Sequence, residues 1–114
     1  MKIQKIVNLI NGTVVSGIEN VENTIDMAFA SDLMSDVLTV KTDNLLLLTG
    51  LVNIQAIRTA EMSDISCVVF VRNKKVTEDM IRIAMENKIT IIQSPFSMFK
   101  VSGVLFSAGI KPVF

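Results

Sequence analysis

The sequence predicts a single α/β domain with a small, mainly parallel central sheet flanked by helices. Three observations carry that reading. Asn44–Gly50 and Ser66–Val71 are apolar runs closed by turn signals, and Ile89–Ile92 repeats the pattern. Runs without polar alternation suit strands covered on both faces, the condition of a parallel sheet. Segments of helical character, about residues 52–63 and 77–87, separate the runs, and parallel neighbours in one sheet require such crossovers. Finally, Leu45, Cys67 and Ile89 open their runs at equal intervals, so a strand–helix step recurs.

Along the chain, Ile3, Ile6, Val7 and Ile10 recur at helical spacing before Asn11-Gly12, which predicts a short amphipathic helix over 2–10. Thr13–Ser16 reads as a β-branched strand closed by Gly17, and residues 18–23 as a polar connection. Ile25, Met27 and Phe29 alternate with Asp26 and Ala28, the period of a strand with one face in the core. Ser31 is the expected N-cap of a second helix, with Asp32 at the positive end of its dipole. Leu33 and Val37 share the inner face of that helix, Asp32, Ser35 and Asp36 the outer one, and it ends near residues 39–41. Thr77 caps the helix after the second run, with Glu78 and Asp79 in its first turn and Asn87 at its end. Met80, Ile81, Ala84 and Met85 make its apolar face. Ser94 is read as the cap of the last helix, with Pro95 at the first position, where a missing N–H does no harm. That helix runs through Phe99, Val101, Leu105 and Ala108 to Gly109 and Pro112.

Composition narrows the function. At 114 residues the chain is one domain, 1–114, with no room for a second. Its formal net charge is zero, whereas a nucleic-acid partner calls for basic excess to neutralise phosphates. No apolar run approaches the roughly 18 residues of a membrane span, and polar residues interrupt the N-terminus too early for a secretory signal. Cys67, the only cysteine, lies in a predicted buried strand, where a thiol serves as a small apolar filler. The chain therefore reads as a cytoplasmic protein without disulfides. The seven methionines are spread over several elements and read as core filler. Histidine is absent, which removes the commonest general base and metal ligand together. There is no Gly-x-x-x-x-Gly-Lys-Ser/Thr loop and no Gly-x-Ser-x-Gly elbow, and Thr49–Asn53 lacks the glycine spacing of a dinucleotide fingerprint. No enzyme activity, cofactor or metal is expected.

The C-terminal ends of the three runs are where an open α/β sheet binds ligands. They offer Thr49, Gly50 and Asn53; Arg72, Asn73, Lys74 and Lys75; and Gln93, Ser94 and Ser97. Each end feeds a helix N-terminus, whose free amides favour an anion. On one reading these residues form a shallow phosphate or carboxylate pocket charged by Arg72, Lys74 or Lys75. On the other they cap helices and turns while the lysines face water. Asp32, Ser35 and Asp36 form a second polar group. Carboxylates at i and i+4 could hold magnesium, which takes one or two carboxylates plus water, or could simply serve the helix dipole.

Ala30-Ser-Asp-Leu-Met-Ser-Asp36, Leu48-Thr49 with Asn53-Ile54 entering a helix, and Ile91-Ile-Gln-Ser94 through Phe99, Gly103 and Leu105 to Gly109-Ile110 follow in an order that resembles the stand-alone DRTGG-domain proteins. The resemblance covers nearly the whole chain, and Ser31–Asp36 is its most specific piece. It implies an α/β module akin to the N-terminal domain of HPr kinase/phosphorylase, of a kind found beside CBS domains, with regulation or ligand sensing as its role. It implies no kinase chemistry, because the phosphate loop of that enzyme lies in its other domain. Relatives often carry glycine where Asn73 stands, and asparagine also tolerates the left-handed conformation. They tend to carry a polar segment where Leu51-Val52 stand.

The expectation is a non-catalytic regulatory or protein-interaction module, most simply a homodimer. The apolar last helix and the tail Val113-Phe114 leave more apolar surface than a small domain easily covers. The alternative is a sensor that binds an anionic metabolite or nucleotide at the strand ends.

Overall fold

Leu45–Thr49 (β3), Cys67–Phe70 (β4) and Thr90–Gln93 (β5) lie side by side and point the same way, with Leu46 opposite Cys67 and Cys67 opposite Thr90. Successive residues send their side chains to opposite faces, and both faces are covered. Leu45, Leu47, Val68, Phe70 and Ile91 enter one core, while Leu46, Leu48, Cys67, Val69 and Ile92 enter a second. This double burial is why the runs lack polar alternation.

The computed structural model describes all 114 residues. The remaining α-helices and strands are Ile3–Leu9 (α1), Thr13–Ser16 (β1), Met27–Ala30 (β2), Met34–Val37 (α2), Ile54–Met62 (α3), Glu78–Glu86 (α4), Met98–Ala108 (α5) and Lys111–Pro112 (β6), and Ile18–Asn20 forms one short 3-10 turn. One sheet results, in the order β1-β5-β4-β3-β2-β6, parallel throughout except for β1. α2, α3 and α4 supply Met34, Val37, Ala56, Ile57, Met80 and Ala84 to the first core. α1 and α5 supply Ile3, Ile6, Val7, Val101 and Leu105 to the second. The chain thus steps from β2 to β5 over one face, then returns across the other through α5 to place β6 beside β2.

Caps set the ends of the crossover helices. Asn53 accepts from Ala56 N at the start of α3, Thr77 from Met80 N in α4, and Ser97 from Lys100 N in α5. Gly109, at φ 111°, closes α5 in the left-handed conformation that glycine adopts without penalty.

Several elements differ from expectation. Ser94 does not cap α5. It is buried, its hydroxyl donates to Ile10 O at 2.7 Å and accepts from Phe96 N, and the helix begins one turn later behind Ser97. Ser31 does not cap α2 either. It accepts from Leu33 N in a local turn, and Leu33 stands at the N-cap position without a side-chain bond. Leu33 points outward and Met34 takes its place in the core. In α4 Ile83 is buried and Met85 exposed, since the inner stripe lies one position off. β2 is interior to the sheet instead of one-sided. Ile25 packs in the second core while Met27 and Phe29 border the first. β6 had no counterpart in the sequence reading.

Candidate functional site

At the C-terminal end of β4 the chain turns toward the face covered by α4, whereas at the end of β5 it turns toward the face covered by α5. Neighbouring strands whose connections leave in opposite directions open a crevice at their ends. A cleft of about 310 Å³ lies there, walled by Asp32, Gly50, Arg72, Lys74, Ser97 and Phe99.

Its walls are held by hydrogen bonds between loops. Arg72 N donates to Phe96 O at 2.7 Å and Asn73 N to Ser94 O at 2.9 Å, which ties the turn after β4 to the turn before α5. Gln93 Oε1 accepts from Val76 N at 2.7 Å and anchors the far end of the same turn. Arg72 and Asn73 both have left-handed backbones, with φ of 64° and 58°. Asparagine accepts this readily, while arginine pays about 1 kcal/mol or more. The turn thus holds the backbone of Arg72 in a conformation the residue does not favour.

The opposite wall is built on β3. Asp32 Oδ1 accepts from Gly50 N at 2.6 Å and from the Thr49 hydroxyl at 3.0 Å, leaving Oδ2 without a protein partner. Lys74 Nζ donates to Gly50 O, so two of its three N–H groups remain for the cleft. A Cβ on Gly50 would sit 3.5 Å from both Asp32 carboxylate oxygens and 3.5 Å from Lys74 Nζ. Asp32 and Lys74 thus approach the same backbone position without an ion pair between them. Ser97 Oγ accepts from Lys100 N, and its own hydroxyl proton is free to be donated outward. Phe99, in the first turn of α5, is 87% exposed.

Of the residues singled out in the sequence, the cleft gathers Asp32, Arg72, Lys74 and Ser97. Asn73 shapes its rim from outside. Thr49 is wholly buried, committed to Asp32 and to Leu51 N. Asn53 is spent on the α3 cap and Ser94 on Ile10. Lys75, Ser35 and Asp36 are exposed elsewhere. Asp32 precedes α2, so the helical face expected to join it to Asp36 does not form. Phe99 also lines the cleft, a place that the apolar pattern of its helix does not signal.

A second depression, about 260 Å³, lies between α5 and the β2–β6 edge and is almost wholly apolar, with Phe29, Leu48, Leu105, Phe106, Val113 and Phe114 in its lining. Phe29 and Phe114 meet edge to face at 6.0 Å between centroids, while Phe106 remains 65% exposed. No helix of the protein is long and apolar enough to cross a membrane.

No protein-family model and no curated protein matches the chain. Among solved structures it is similar to the CBS and DRTGG domains of the regulatory region of Clostridium perfringens pyrophosphatase, complexed with the activator diadenosine tetraphosphate. The TM-score is 0.73 at 13% identity, over 98% of this chain. The chain spans about half of that one, 48%. At such identity the likeness is one of fold, and the protein thus carries the DRTGG-like α/β fold that Ala30–Asp36 and Ile91–Ile110 led us to expect.

Proposed function

We propose that the protein is a non-catalytic regulatory module that senses an anionic small molecule in the cleft beside Arg72. The observation that carries this is the convergence of Arg72 and Lys74, from the turn after β4, with Ser97, from the turn before α5, at the place where the chain leaves adjacent strands toward opposite faces. Their exposed groups donate hydrogen bonds or carry positive charge, which suits binding an anion more than transforming one. The similar regulatory region is complexed with a nucleotide activator, and that supports a regulatory role for this fold.

The test is a thermal-shift and calorimetric titration of the full chain with tripolyphosphate and nucleoside triphosphates. A ligand of the native state must raise the melting temperature, and Arg72→Ala should weaken binding about tenfold, the scale of one charge-assisted hydrogen bond. No shift with any of these anions would remove the sensor reading.

The apolar depression favours a second, compatible reading: association, most simply as a homodimer. Exposed Phe106 and Phe114 flank an apolar surface at one end of the sheet, and such surfaces mark interaction sites.

A further inference from the structure

The charge pattern of the cleft says more about its ligand than that it is an anion. A site for bare phosphate has no use for an acceptor-only carboxylate, and Asp32 turns one into the cleft. Its Oδ1 is saturated by Gly50 N and Thr49, and its Oδ2 has no protein partner. A carboxylate oxygen accepts hydrogen bonds and does not donate them, so it asks for a donor on the ligand. Lys74 makes no ion pair with it. Phe99 adds a flat apolar face almost wholly in water, with no part in either core. An aromatic face beside an arginine is what a stacked base uses, and stacking contributes on the order of 1–3 kcal/mol per base.

We infer that the cleft takes a nucleoside phosphate whose base carries an exocyclic amine. The base stacks on Phe99 and donates its amine to Asp32 Oδ2, while the phosphates meet Arg72, Lys74 and Ser97. This rests on the anion-sensor reading and goes beyond it by assigning roles to Asp32 and Phe99. The volume, about 310 Å³, is at the lower end of the few hundred Å³ typical of small-molecule sites, so one base with its sugar fills it and the phosphates lie toward solvent.

The discriminating experiment titrates the full chain with ATP, inosine triphosphate and tripolyphosphate. ATP and inosine triphosphate differ at the purine 6-position, amine against carbonyl, with the adjacent ring nitrogen changing from acceptor to donor. ATP should bind about tenfold tighter than inosine triphosphate. Asp32→Asn, which replaces one acceptor oxygen by a donor amide, should narrow or reverse that preference. Phe99→Ala, at a position too exposed to endanger the fold, should weaken ATP about tenfold and leave tripolyphosphate unchanged. If tripolyphosphate binds as well as ATP and depends on Arg72, the base reading is overturned and the anion sensor stands. Equal binding of ATP and inosine triphosphate overturns the role of Asp32. Absence of binding by all three overturns the sensor and the inference together.

Discussion

The Thr49 hydroxyl donates to Asp32 Oδ1 across 3.0 Å, joining the wholly buried end of β3 to the exposed segment ahead of α2. The Thr49 hydroxyl oxygen in turn accepts from Leu51 N at 3.1 Å. Thr49→Val keeps the shape and loses both bonds, so it should destabilise the protein by about 1–2 kcal/mol in urea unfolding. A change within error would mean that water replaces the hydroxyl at no cost.

Ser94 and Ser97 make a paired test. Ser94→Ala leaves the buried Ile10 carbonyl and the Phe96 amide both short of a partner and should cost about 2–3 kcal/mol. Ser97→Ala removes only an exposed helix cap and should cost about 1 kcal/mol. Equal losses would contradict the structural role of Ser94.

Cys67 sets an alkaline limit. Burial in β4 pushes its thiol up to about 12 from an ordinary 9.0. The unfolded chain therefore releases this proton before the folded one does, and the thiol favours folding fully only below about pH 9. Between about 9 and 12 stability falls by about 1.4 kcal/mol per pH unit from this group alone. Cys67→Ala should lower stability at neutral pH through the cavity it leaves, yet flatten the decline above pH 9. Urea midpoints of both proteins across that range check the sign. Parallel declines would show that other groups govern alkaline unfolding.

Phe106→Glu should hold the protein monomeric, because it puts a charge on the apolar depression between α5 and β6. Light scattering should give twice the chain mass for the parent and the chain mass for the variant. A monomeric parent at high micromolar concentration would end the homodimer reading.

Much of the sheet was legible in the sequence, for a physical reason. Residues 45–49, 67–70 and 90–93 are covered on both faces, so their apolar runs are unbroken and their direction follows from the helices between them. Local signals also placed Thr77 and Asn53, whose bonds are made within one helical turn. The failures sit where a polar side chain is spent on a distant partner. Ser94-Pro95 has the chemistry of a helix start, but the Ser94 hydroxyl goes to Ile10, across most of the chain. Asp32 looks like a dipole partner for α2 and instead closes on β3. Lys111-Pro112 is too short to announce a strand and is made one by β2 alongside. In the cleft, the strand-end rule located Arg72, Lys74 and Ser97. Phe99 was hidden because the outer residues of an apolar helix carry no mark of exposure.

The borders of the sheet bear on how copies of the protein meet. On one side lies β6, two residues long with a proline that has no N–H to offer. On the other lies β1, irregular between Val14 and Ser16, and such a break twists a border away from flat pairing. Neither rim offers a straight template for another strand. On the homodimer reading, copies would meet through side chains such as Phe106 and Phe114 and not by strand pairing, and growth into fibres strand by strand is disfavoured.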